Sequence, residues 1–341
     1  MLGFKPKGAL GLDIGSHYVK LIELHKGFKR PEIASMSVVP LPKETIINGN
    51  ISNSENLKVV ISDIFNSVKT SLKHIAISLP NDAAIIKRLT IPVMPDKELD
   101  EHIIWEAEQY LPQEVLDDIH IDYNKVNIPS RPGHMEVMLV AAKRSIVKSY
   151  TDLLARMNLI ARVVDVDTFA LLNAYNYNCK VIETENRLLL NVGAQSTNML
   201  VVRGSNIIFS RNFDFGGDRF TEVLSKNLNI SYDEAETHKV RNSLQKYFSN
   251  EFEGIISVII KEFTQELKKE IDNFYSFNDD TPITSIYVSG GGAKLPFFNE
   301  LLQKFTNIPT HLLNAFSNFS YNRKIFDDNY INKVMPMMAV A

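Results

Sequence analysis

The sequence predicts an α/β protein of two lobes, with a smaller αβ subdomain inserted after the first part of the first lobe. Three observations lead there. Short alternating apolar runs, which read as strands, are interspersed with longer stretches whose apolar residues recur three and four apart, which read as helices. The segment Leu10-Gly-Leu-Asp13-Ile-Gly15-Ser16 returns as Leu188-Leu-Leu-Asn191-Val-Gly193-Ala194, 178 residues on (191 − 13). And 341 residues, 45% of them hydrophobic, suffice for two separate cores.

In chain order, alternation predicts strands from Ala9 to Ile14 and from Tyr18 to Leu24, a hairpin turned at Gly15 and Ser16. Residues 43–55 are polar and Asn-rich and read as a surface loop. A helix with Leu57, Ile61, Ile64, Phe65 and Val68 on one face follows, then a strand from His74 to Leu79. After Pro92 and Pro95, Leu99, Ile103, Ala107, Tyr110 and Leu111 form one helical face up to Pro112. A strand at 136–142, a helix bearing Ile146 to Met157 and a strand at 160–166 complete residues 90–165 as the inserted subdomain. Residues 1–89 and 166–186 form the first lobe, the latter with a short helix over 169–175. The second lobe, 187–341, opens with strands at 187–192, 197–203 and 206–213. It continues through a long helix carrying Ile256, Ile259, Phe263, Leu267, Ile271 and Phe274, whose charged residues form a solvated face. A strand at 285–289 then runs into three glycines, and a final apolar run, VMPMMAVA, reads as helical.

Composition excludes several classes. The net charge is −3, with 37 basic and 40 acidic residues spread along the chain, so no basic stripe marks a nucleic-acid binder. Cys179 is the sole cysteine, which rules out an internal disulfide and a multi-cysteine zinc site and fits a reducing compartment. No apolar run reaches the roughly 20 residues that span a bilayer, and the N-terminus lacks a leader pattern. The expected location is therefore cytoplasmic, with any membrane connection made through a partner. No G-x-x-x-x-G-K-[ST], H-E-x-x-H or G-x-S-x-G pattern is present.

The residues that carry chemistry cluster in four places. A strand ending in a short acid or amide and turning through glycine lets phosphate oxygens approach the backbone. In the first turn Asp13 can hold Mg²⁺ through its water shell, Gly15 and Ser16 can face the terminal phosphate, and Lys20 can neutralise phosphate charge. The echo at Asn191 and Gly193, with Gln195 and Thr197 beyond it, offers a second such turn, facing the first across a cleft. Gly216 and Gly217 open a helix, and Glu236 and Lys239, one helical turn apart, form either a ribose clamp or a plain surface ion pair. Gly290, Gly291, Gly292 and Ala293 follow a strand and let a flat ring lie against the backbone. Asp165 and Asp167, at a strand end, either cap the next helix or add acidity to the site. His17 lies in the first turn, and Trp105 reads as packing or partner contact rather than catalysis.

The order Asp13-x-Gly15-Ser16-x-x-x-Lys20, Asn191-x-Gly193, Gly216-Gly217, Ala235-Glu236-x-x-Lys239, Gly290-Gly291-Gly292 resembles the actin-like ATPase superfamily. Within it, the chain resembles the PilM family of type IV pilus assembly proteins, relatives of FtsA, over nearly its whole length. The resemblance implies an actin-like fold, duplicated RNase H-like lobes with an extra αβ subdomain of the PilM/FtsA type. It also implies ATP and Mg²⁺ as ligands and a cytoplasmic scaffold recruited to the inner membrane by a partner. That partner would be the N-terminal tail of the inner-membrane protein PilN, bound in a groove near the extra subdomain, alongside other pilus inner-membrane and motor components. The helix bearing Ile103, Trp105 and Ala107 is assigned to that groove. Where the superfamily pattern has a second Asp, this chain has Asn191, which removes a charge and implies slow or absent hydrolysis. Two competitors share the motifs. An FtsA-like division filament would add a basic amphipathic C-terminal helix, and a small-molecule kinase would need a carboxylate base.

Overall fold

The computed structural model describes residues 8–110, 118–126, 131–241, 243, 252–278 and 281–341. They fall into two units. Unit 1 takes the chain up to Ala170 together with Phe319–Asn322 and Val340–Ala341, and unit 2 holds Leu171–Asn318 and Arg323–Ala339.

Unit 1 begins with the expected hairpin, β1 (Gly8–Ile14) and β2 (Tyr18–His25). A third antiparallel strand that the sequence does not announce, β3 (Glu32–Pro40), extends it. The stretch 43–55, read as a loop, contains a two-rung hairpin, β4 (Ile46–Ile47) and β5 (Asn50–Ile51). Asn48 and Gly49 turn it at φ 48° and 74°, a left-handed pair that Asn-Gly adopts with least strain. Ile46 is thereby buried. Helix α1 (Ser54–Val68) starts where the Asn53 side chain accepts the Asn56 N–H, and buries Leu57, Val60, Ile61 and Ile64. It is followed by β6 (His74–Leu79), which pairs in parallel with β1.

The insertion is a three-stranded antiparallel sheet in the order β7-β9-β8, made of β7 (Ala84–Pro92), β8 (Ile119–Val126) and β9 (His134–Lys143). Helix α2 (Asp96–Tyr110) covers one face, packing Leu99, Ile103 and Ala107 against Leu89, Ile91, Val137 and Leu139. Leu111, expected on the same face, lies outside the described residues. This layer begins at Ala84 rather than 90 and ends at Lys143 rather than 165. The next two elements join the main sheet of unit 1 instead. Helix α3 (Arg144–Arg156) buries Tyr150 and Leu154 in the core that holds Leu12, Ile61 and Ile77, and Tyr150 donates a hydrogen bond to the Gly49 carbonyl at 3.1 Å. Strand β10 (Ile160–Val166) pairs in parallel with β6. The physical reason is non-local: β10 finds its partner in a strand laid down before the insertion began.

The chain passes to unit 2 within α4 (Asp167–Asn178). Residues 171–186, expected with the first lobe, therefore pack with the second. Tyr175 is fully buried, edge-on to Tyr287 at 5.3 Å, and accepts from Arg187 Nη1 at 2.7 Å. The second sheet contains β11 (Asn186–Val192), β12 (Thr197–Arg203), β13 (Asn206–Phe213), β14 (Ile283–Ser289) and β15 (Thr310–Leu312), ordered β13-β12-β11-β14-β15. The first sheet is ordered β10-β6-β1-β2-β3, with the short β16 (Ser320–Tyr321) at its far edge. Strand for strand these are the same arrangement: an antiparallel three-stranded meander with two parallel strands added beside its first strand. The duplication suggested by one heptapeptide extends through five strands.

Helices α5 (Gly217–Leu228), α6 (Tyr232–Val240), α7 (Phe252–Phe277), α8 (Phe298–Thr306) and α9 (Asp328–Val334) complete unit 2. Phe215, Phe220, Phe263 and Phe298 form an aromatic cluster with centroid separations of 5.3–6.2 Å in tilted and edge arrangements. It lies directly under the glycine loops described below. The final apolar run is a 3-10 turn, Met335–Met337, and its Pro336 carbonyl accepts the Gly290 N–H at 2.6 Å.

Candidate functional site

In unit 1, Asp13, the last residue but one of β1, stands directly opposite Lys20 on β2, and the two side chains form an ion pair. Asp13 is buried and the Lys20 side chain only 16% exposed, so solvent screens the pair weakly. The turn between them closes through Gly15 N–H to the Tyr18 carbonyl at 3.0 Å. The Gly15 amide is therefore committed within the turn. The expected role for it as a phosphate donor gives way to a steric one, since a Cβ at Gly15 would come within 3.2 Å of the Tyr18 carbonyl. Ser16 sits at the tip, half-buried.

Ser78, at the end of β6, stands beside Asp13 in the parallel register. Asp167 opens α4, and its carboxyl is pushed up to about 7, by burial first and by the negative charge of Asp13 second. The Ser78 hydroxyl and Lys20 act in the opposite sense. Burial also raises Asp165, opposed by a hydrogen bond from the Val166 N–H. Asn81 Oδ1 accepts from both the amide and the hydroxyl of Thr168, at 3.1 and 2.5 Å, and fixes the start of α4. Asp167 thus lies close enough to Asp13 to feel its charge, and the Thr168 amide in the first turn of α4 is satisfied by Asn81.

Unit 2 repeats the turn. Asn191 stands opposite Asn198 as Asp13 does opposite Lys20, Gly193 N–H donates to the Ser196 carbonyl at 3.0 Å, and Ser289 on β14 stands beside Asn191 as Ser78 does beside Asp13. The geometry is conserved within the chain while an acid–lysine pair has become a pair of amides. The other predicted motifs converge on this turn. Gly217 N–H donates to the Gly193 carbonyl at 2.9 Å and Asp218 N–H to the Ala194 carbonyl at 2.8 Å, so the first amides of α5 are occupied by the turn. A Cβ on Gly216 would lie 2.5 Å from the Ala194 oxygen, which is why this position must be glycine for the turn to dock on the helix.

Lys239 Nζ donates to the Gly217 carbonyl at 2.7 Å and to Thr221 Oγ1 at 2.6 Å, and pairs with Glu236 at 2.6 Å. Thr221 also bonds Glu236. Glu236 and Lys239 are therefore paired directly, and both also bond Thr221, which the sequence reading leaves out. A threonine one turn into a helix carries no signal until the second helix is known to cross it. Beside them Tyr232 donates to Asp218 Oδ1 at 3.0 Å, and burial followed by the Asp218 charge raises the phenol well above its ordinary range.

The glycine triplet divides by role. Gly290 adopts φ +90°, and a Cβ there would strike the Val192 carbonyl oxygen and lie 2.7 Å from Asn191 Oδ1. A Cβ on Gly292 would strike the Val192 side chain. Around Gly291, in contrast, no atom lies within 4 Å of where a Cβ would be, and the residue is exposed. Gly290 and Gly292 are packing positions, and Gly291 is the one over which a ligand can lie. Ala293 is buried beneath it. Gln195 is exposed at the tip of the second turn. Thr197 differs from the expectation: it is fully buried and its hydroxyl donates to the Phe215 carbonyl at 2.5 Å, which makes it a tie between β12 and the segment leading to Gly216.

The groove assignment on α2 also changes. Ile103 and Ala107 are 1% and 0% exposed, sealed against the insertion's own sheet. Trp105, two residues from each, lies on the other side of the helix, 52% exposed, with His102 stacked on it at 5.5 Å.

Among the described residues no group of three or more His, Cys, Asp or Glu side chains is placed to hold a metal ion. The donors present nevertheless fit Mg²⁺ as a ligand of phosphate and water, because such an ion needs only one or two hard carboxylates from a protein and Asp13 is one. No helix of the described residues is long and apolar enough to cross a membrane.

A family model described as type IV pilus assembly protein PilM matches residues 11–341. Among solved structures the chain is similar to a PilM-PilN type IV pilus biogenesis complex, with 25% identity, a TM-score of 0.84, and coverage of 97% of this chain and 96% of that one. It is more distantly similar to the ethanolamine utilization protein EutJ from Carboxydothermus hydrogenoformans, at 14% identity, TM-score 0.57, and 91% and 85% of the two chains. MreB5 of Spiroplasma citri bound to ADP gives 13% identity, TM-score 0.51, and 96% and 98% coverage. These likenesses agree with the actin-like fold expected from the sequence.

Proposed function

The chain belongs to the family of type IV pilus assembly protein PilM, and on that premise we propose that it is an ATP-binding scaffold of a pilus assembly complex with slow or absent hydrolysis. The observation that carries this reading is the duplicated turn with unequal chemistry. The turn holding Asp13, Ser16 and Lys20 offers a carboxylate for the water shell of Mg²⁺ and an ammonium for phosphate charge. Its counterpart keeps the shape through Gly193 with Asn191 and Gln195 but supplies no second carboxylate. Gly291 leaves backbone open for the base, and Glu236 with Lys239, held by Thr221 and the Gly217 carbonyl, offers hydrogen bonds to a ribose. An amide at 191 binds water without drawing off a proton, so retention of nucleotide is favoured over turnover.

We also propose that the partner is the N-terminal tail of PilN, by analogy with the complex that this chain resembles. Extended peptides dock on sheet edges, where backbone groups supply affinity and alternate side chains specificity. Among the described residues of unit 1, β10 is the terminal strand of its sheet, and Ile160, Val163 and Val164 are 51%, 52% and 37% exposed. That edge replaces α2 as the proposed docking site. Val163→Asp is expected to weaken binding of a synthetic PilN tail at least tenfold in a fluorescence titration, with Trp105→Ala within twofold of the parent chain. The reverse pattern would return the site to α2.

A further inference from the structure

The turn joining β2 to β3 reads His25-Lys26-Gly27-Phe28-Lys29-Arg30, and all of these residues except the partly covered glycine are exposed. Phe28 is 101% exposed, the most exposed large hydrophobic of the described residues. No other large hydrophobic is exposed in β1, β2, β3 or the turns between them, among the described residues. No Asp or Glu lies between Glu23 and Glu32, and the acid at 23 is engaged by His25 at 2.8 Å and by Ser35 at 3.0 Å. A chain of net charge −3 therefore places Lys26, Lys29 and Arg30 in the same exposed turn as Phe28.

The tip is held in shape. A Cβ on Gly27 would strike the Arg30 carbonyl, so the turn is tightly curled, and at its base the Pro31 carbonyl accepts the Ser320 N–H at 2.9 Å. A pre-shaped turn presents Phe28 at little cost in conformational entropy. A protein-binding hot spot would be expected to sit among further apolar neighbours. A single aromatic flanked by lysine and arginine has instead the chemistry of the lipid–water boundary, where the ring enters the headgroup layer and the cations meet anionic headgroups.

We propose that this turn is a peripheral membrane contact specific for anionic lipid. It spans nothing and needs neither nucleotide nor partner. It adds a direct surface contact to the partner-mediated recruitment expected from the sequence. Alone it is weak; beside a membrane-anchored partner it acts at high effective concentration.

Flotation of the full chain with vesicles of phosphatidylcholine containing roughly one-third phosphatidylglycerol, against pure phosphatidylcholine, tests this. The expected result is binding to the anionic vesicles alone, reduced about tenfold by Phe28→Ser. Paired Lys26→Glu and Lys29→Glu changes should abolish it, and raised salt should weaken it. The melting temperatures should be unchanged, because the altered side chains are exposed. Equal flotation with both vesicle types, or parental binding by Phe28→Ser, would overturn the proposal. So would indifference to both vesicles combined with binding to an acidic peptide, which would make the turn a protein contact.

Discussion

Gly290→Ala is expected to be the most destabilising single-methyl change in unit 2, while Gly291→Ala, one residue on, is expected to leave stability within about 0.5 kcal/mol. At Gly290 the backbone is in the left-handed region at φ +90°, and the new methyl would meet the Val192 carbonyl and Asn191 Oδ1, neither of which can retreat without distorting β11. Strain and clash together should cost about 3 kcal/mol or more. Gly291 has ordinary right-handed helical angles, φ −64° and ψ −33°, and open space around it. Its methyl would fall where a base is proposed to lie. Urea melts should therefore separate the two variants by stability, and nucleotide titrations should show Gly291→Ala weakened about tenfold or more. A Gly291→Ala variant that binds Mg-ATP like the parent would remove this loop from the nucleotide site.

Lys20→Ala should lower stability even without ligand, by about 2–4 kcal/mol, because it strands the buried Asp13 carboxylate without its countercharge. Lys20→Ala with Asp13→Asn restores neutrality and should regain much of that loss. If Lys20 meets phosphate, both variants should bind Mg-ATP far more weakly than the parent, with the double variant stable enough to make the comparison clean. Parental ATP affinity in the double variant would mean that the pair is purely structural.

The turns were legible because they are local. Asp13, Gly15 and Lys20 lie within one hairpin, and the echo at Asn191 and Gly193 needs only sequence self-comparison. The long helix through Ile256, Phe263 and Phe274 was equally plain from its period. What the sequence hid was non-local or depended on which atoms were already engaged. Strand β3 alternates, but Ser35 and Ser37 occupy positions where an apolar residue would have announced it, and one of them serves Glu23 across the sheet. Strand β7 carries Lys87 and Arg88 in its middle. Strand β10 looked like the end of the insertion because its partner β6 precedes the insertion. Assigning the helix that bears Ile103, Trp105 and Ala107 to one groove leaves open which side faces it, since residues two apart diverge while residues four apart coincide, and only Trp105 is exposed. Gly15, Gly216 and Gly290 each stand in a tight turn, but close approach of phosphate is an incomplete reason for them. The amides of Gly15 and Gly290 serve the fold, and at all three positions it is the missing side chain that brings the turns together.

The central claim is that the chain holds ATP without readily turning it over. The most direct measurement is the melting temperature of the purified protein, freed of any co-purified nucleotide, against Mg-ATP concentration, with ADP assayed in the same tubes. Binding to the folded state alone adds about 2.7 kcal/mol at roughly one hundred times Kd, so a saturable rise of several degrees with little ADP is predicted. A flat melting temperature would contradict nucleotide binding, and a rise with steady ADP release would contradict the part assigned to Asn191.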